Sequence, residues 1–60
     1  MSTNNILSIE PIGFPIPTAV IVTFQCKGGE NRSYLYSSIE AVRGILEGED
    51  PKEWDGERIA

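Results

Sequence analysis

The residues with the clearest capacity for chemistry are acidic and crowded into one stretch. Seven of the nine carboxylates, Glu40, Glu47, Glu49, Asp50, Glu53, Asp55 and Glu57, fall between positions 40 and 57, and only Arg43 and Lys52 oppose them, a local charge of −5 (seven acids less two bases). The whole chain carries −4. Such spacing suits docking onto a basic patch of another protein, because complementary charge speeds encounter. It also suits imitation of a phosphate backbone. The plain alternative is a solvated face that keeps a small domain soluble. Glu40 and Asp50 have a second use as helix-start residues, which leaves Glu47, Glu49, Glu53 and Glu57 to face a partner. Trp54 sits among them and, with Tyr34 and Tyr36, belongs to the residue types enriched where binding energy concentrates. Beside Pro51, Trp54 also fits a lid over a small core. The candidate partner-binding set is therefore Glu47, Glu49, Glu53, Trp54, Glu57, Tyr34 and Tyr36.

Other chemistries find little here. Carboxylate pairs act as acid and base only when an apolar pocket raises one pKa, and these acids lie in a polar stretch. Cys26 has no histidine to activate it, for the chain contains none, and Lys27 projects from the opposite side of a strand; a small buried thiol is the better reading. A lone cysteine among scattered acids lacks the ligand spacing of a zinc site, and the calcium-loop pattern is missing. Gly28-Gly29 precedes Glu30 and a strand, whereas a phosphate loop needs a helix behind it. Five basic residues, Lys27, Arg32, Arg43, Lys52 and Arg58, stand singly, which disfavours direct nucleic-acid binding. The expectation is no enzyme, no cofactor and no metal.

Sixty residues allow one domain that buries only about 60% of its unfolded surface. Chains this small usually carry a staple such as disulfides, a metal or a partner subunit; a single cysteine excludes an intrachain disulfide. A homodimer is one way to supply what is missing. The longest apolar run, Ala19-Val20-Ile21-Val22, is far below the roughly 20 residues that span a bilayer. Residues 1–5 have neither a basic nor an apolar signal region, so a reducing cytoplasm is the expected compartment, and no membrane contact is expected.

The elements that would position the acids divide at Tyr36-Ser37-Ser38-Ile39-Glu40, where the apolar period changes from two to about 3.6. Residues 1–5 read as a frayed polar terminus, 6–36 as β-rich, 38–47 as a helix and 49–60 as an acidic tail. In 6–10, Leu7 and Ile9 share one face and Ile6, Ser8 and Glu10 the other. Residues 11–17 hold three prolines and read as a stiff extended loop; alternation of Ile12, Phe14 and Ile16 suggests that one edge lies on the core, the alternative being an exposed docking edge. Residues 18–27 form the strongest strand, with Val20, Val22, Phe24 and Cys26 toward the core. Lys27 to Asn31 is a hairpin turn, since Gly-Gly supplies positive φ. In the return strand 32–36 either Leu35 or the tyrosines face inward. Ser37 with Glu40 three residues on matches a capping box, followed by an apolar stripe of Ile39, Val42, Ile45 and Leu46. Asp50, Pro51 and Glu53 match a second helix start, giving one turn over 51–54 and then an extended end.

The architecture expected is α+β, a three-stranded antiparallel sheet followed by one helix, with a Trp-bearing tail; the second choice is a small, partly open barrel plugged by the helix. Two functions fit it: a small regulatory or inhibitory protein that binds a partner with a basic patch through the acidic helix–tail surface, and a structural or assembly module that self-associates through an open sheet face or edge.

Overall fold

A computed structural model describes residues 5–60. Most of the expected frayed terminus, residues 1–4, lies outside the described residues; Asn5 opens the first strand. The elements run β1 Asn5–Ile12, β2 Ala19–Gln25, β3 Asn31–Tyr36, α1 Ile39–Leu46, a 3-10 turn Glu53–Asp55 and β4 Glu57–Arg58. The strands form an antiparallel meander in the order β1-β2-β3-β4. The fold is thus α+β with four strands rather than three. Among the described residues β1 and β4 do not pair with each other, so the sheet is open and the barrel alternative falls.

Strict alternation along β2 buries Val20, Val22 and Phe24. Residues directly opposite in an antiparallel pair share a face. The pairings Val20–Tyr36 and Val22–Tyr34 therefore turn the tyrosines of β3 toward the helix and Leu35 away from it. Tyr34 meets Phe24 edge-on, with ring centroids 5.6 Å apart at 79°, an arrangement the ring quadrupoles favour. Tyr36 is fully buried, and Val42 and Ile45 of α1 close the core over it.

Two irregularities reshape β1. It extends through Pro11 to Ile12, further than the prolines suggested, because an edge strand tolerates a residue without an N–H. A bulge between Ile6 and Ser8 makes Leu7 the extra residue. Ile6 then lies opposite Phe24 and Ile9 opposite Val22, so both share the helix side, contrary to simple alternation. The β1–β2 loop, closed by Thr18 N–H donating to Ile12 O at 2.8 Å, does not fold onto the core: Phe14 is 96% and Ile16 74% exposed. Gly28 and Gly29 take positive φ in the β2–β3 turn, as the hairpin requires.

The helix begins one residue later than expected. Ser38, not Ser37, is the N-cap, and its hydroxyl accepts from Ala41 N–H at 3.1 Å. Glu40 thereby becomes the second helical residue, and Ala41 occupies the position a capping-box acid would need. At the other end Gly48, with φ +103, sends its N–H to Ile45 O, and Glu49 N–H reaches Gly44 O at 2.9 Å. This pair of bonds is the Schellman closure that a left-handed glycine permits. The expected stripe is only half used: Val42 and Ile45 are buried, whereas Leu46 is exposed and Ile39 is 77% exposed.

The tail departs from the sequence expectation in two ways. The second helical turn starts after Lys52 rather than Asp50. Residues 57–58 then pair with β3, Glu57 opposite Leu35 and Arg58 opposite Tyr34. Gly56 makes this return possible: a Cβ there would stand 2.7 Å from the Tyr36 ring.

Candidate functional site

The 3-10 turn is tied to the sheet by two tyrosine hydroxyls. Tyr36 donates to Lys52 O at 2.7 Å, and Tyr34 donates to Glu53 Oε2 at 3.1 Å. Burial first, and then the nearby Glu53 and Asp55 carboxylates, push the Tyr36 hydroxyl up to about 12, since both disfavour a phenolate. These bonds hold residues 50–54 across from the start of β1 and leave a cleft of about 390 Å³ between them. Phe24 and Ile6 line it from the sheet, Pro51 and Trp54 from the tail, and Asp50 and Glu53 supply its acids; Lys52 is the cation on its rim. Trp54 is 80% exposed, so it is not a lid over the core.

A narrow crevice adjoins this cleft between α1 and the tail, sharing Asp50, Pro51 and Lys52 with it. Glu40, Glu49, Asp50 and Asp55 line the crevice against Lys52 alone, a net of −3 (four acids less one base). The carboxylate of Glu49 lies over Gly44, where a Cβ would meet Oε1 at 2.9 Å. The apolar cleft at Trp54 therefore opens beside a net-negative crevice. Among the described residues no three His, Cys, Asp or Glu side chains converge as a metal would require.

The seven candidates named from the sequence are dispersed by this geometry. Glu53 and Trp54 line the cleft, Tyr34 reaches it only through its bond to Glu53, and Glu49 lies at the neighbouring crevice. Tyr36 is a core residue whose hydroxyl is already bonded. Glu47 ends α1 on its other flank, beside Ile39 and Leu46. Glu57 lies opposite Leu35, on the sheet face away from the helix. Glu53 is half-buried and anchored, rather than a loose surface acid.

Sequence reasoning missed Ile6, Phe24 and Pro51 as lining residues. Ile6 reaches the cleft only through the bulge at Leu7, which no residue type announces. Asp50, expected as a helix cap, instead lines both the cleft and the crevice, and Lys52 stands at the N-cap of the 3-10 turn.

A second apolar surface lies on the opposite flank of α1. Ile16 and Pro17 of the β1–β2 loop and Ile39, Val42 and Leu46 of the helix line a groove of about 570 Å³, with Arg43 and Glu47 at its edge. Among the described residues no helix is long and apolar enough to cross a membrane.

No family model, no curated protein and no solved structure matches the chain.

Proposed function

We propose that the protein is a small binding module that regulates or inhibits a protein partner by receiving a cationic, partly apolar segment of it at the Trp54 cleft. The observation that carries this reading is Trp54 itself, exposed at the mouth of an apolar cleft beside a net-negative crevice. An exposed tryptophan gains by burial against a partner, and rims of opposite charge steer that partner in. Its mount is rigid, because two hydroxyl bonds hold the turn to the sheet, so little order must be created on binding. A reducing compartment such as the cytoplasm suits a chain whose single thiol, Cys26, is half-buried and unpaired.

The test uses a defined probe, a short peptide alternating Lys and Leu, measured by calorimetry over a salt series. Binding is expected to weaken as salt rises. Trp54→Ala should lower affinity about tenfold or more, the size of a hot-spot truncation, with an unchanged melting temperature. Equal affinity of Trp54→Ala and the natural chain would refute the reading.

A further inference from the structure

The groove on the far flank of α1 differs from the Trp54 cleft in one respect that decides its occupant: it is electrically balanced. Arg43 and Glu47 are its charged residues, one of each sign. The cleft has two acids against Lys52 and the crevice four. Two copies of a chain carrying −4 repel each other through the acidic surfaces, whereas the lining of this groove carries no net charge to add to that repulsion. Its charges are also self-complementary, because in a two-fold contact residue i meets j while j meets i. Among the described residues the ion pairs are Glu30 with Arg32 and with Arg58; neither Arg43 nor Glu47 takes part in one.

The apolar content points the same way. Ile39, Arg43 and Leu46 follow one another at helical spacing on the outward side of α1, and Ile16 extends that surface along the loop. Ile16 and Ile39, each about three-quarters exposed, lie together in this one groove, and contiguous exposed apolar surface of this kind marks interaction sites. The sheet edge is a poorer meeting place, since the Leu7 bulge and Pro11 interrupt the outer ladder of β1.

We infer that two copies of this chain associate through the α1–loop groove, helix against antiparallel helix, with Arg43 of each copy opposite Glu47 of the other and Leu46 near the two-fold axis. This surface is distinct from the Trp54 cleft, so the dimer leaves that cleft open and stands or falls independently of the partner reading.

Sedimentation velocity of the full chain from about 10 µM to about 1 mM, a range that brackets weak association, tests the inference. The natural chain should shift from 6.6 kDa to twice that mass. Arg43→Glu or Glu47→Arg alone should weaken the dimer about tenfold, and the double exchange should restore it, as expected for a close charge pair. Leu46→Lys should abolish it while leaving the monomer folded, because Leu46 is exposed and a cation suits a helix C-terminus. Circular dichroism of each variant at the lowest concentration separates dissociation from unfolding. A chain that stays monomeric at the top concentration overturns the inference and leaves the groove to a different occupant. A dimer indifferent to the single reversals, or one that the double exchange fails to restore, overturns it as well.

Discussion

Tyr36 and Lys52 are joined by a 2.7 Å bond from the phenol hydroxyl to the backbone carbonyl, and this contact ties the functional turn to the core. Tyr36 is buried under Val42 and Ile45, so whatever holds its ring also holds the start of the turn that carries Trp54. Together with the Tyr34 bond to Glu53, this contact fixes the cleft to the sheet.

Loss of that hydroxyl has a double consequence. Tyr36→Phe should lower stability by about 1–2 kcal/mol, the cost of one bond and an unpaired carbonyl. It should also change the alkaline limb of the stability curve. The Tyr36 phenol titrates at about 12 in the fold and near 10 when unfolded. The unfolded chain therefore holds fewer protons between pH 10 and 12, and stability falls as pH rises through that window. The Tyr36 share of the fall is about 1–2 kcal/mol once screening by water around the exposed Lys52 turn is allowed for. Urea melts of both proteins from pH 8 to 12 read this directly: the natural chain should lose its advantage over Tyr36→Phe as pH rises. A constant difference would show that the phenol does not feel its burial.

Gly44 and Gly56 should respond oppositely to alanine. At Gly44 a methyl meets only the mobile end of the Glu49 carboxylate, and alanine improves the helix by up to about 1 kcal/mol. At Gly56 the methyl collides with the buried Tyr36 ring, which has nowhere to move, and overpacking of this kind costs about 1–3 kcal/mol. Thermal melts of the two variants should move in opposite directions. A stable Gly56→Ala would mean that β4 is not held against Tyr36.

The two adjacent serines give a clean test of helix registry. Ser38→Ala should cost about 1 kcal/mol, the usual loss of an N-cap, while Ser37→Ala should be near neutral. Denaturant midpoints of the two single variants decide it, and the reverse order would move the cap back by one residue.

The core strand and the turns were legible because their signals are local. Period-two alternation marks Val20, Val22 and Phe24 for burial, and Gly-Gly needs no tertiary context to make a hairpin. The facing of β3 was not legible, since Tyr34, Leu35 and Tyr36 are all apolar enough for burial, and only the pairing with Val20 and Val22 selects the tyrosines. Ile39 and Leu46 fit a helical stripe as well as Val42 and Ile45 do; the narrow sheet beneath α1 covers one pair and not the other. β4 is two charged residues, too short to carry any period. At the candidate site the run of acids is plain from composition, but the exposure of Trp54 is not, because a tryptophan beside Pro51 fits a lid over the core equally well and the structure leaves it 80% exposed. The neighbours of Trp54 were not legible either, because the bulge at Leu7 and the tyrosine bonds that shape the cleft are long-range.

Trp54 is the single tryptophan of the chain, so its emission reports on the cleft alone. Titration of the natural chain with the alternating Lys–Leu peptide, followed by tryptophan fluorescence, tests the proposed binding site most directly. The free chain should emit as a water-exposed indole. Saturating peptide should move the emission to shorter wavelength as the ring is buried, and added salt should reverse the shift by screening the charges that recruit the peptide. Peptide that binds without moving the Trp54 emission would contradict the account, because the partner would then be held by the acids alone, away from the cleft.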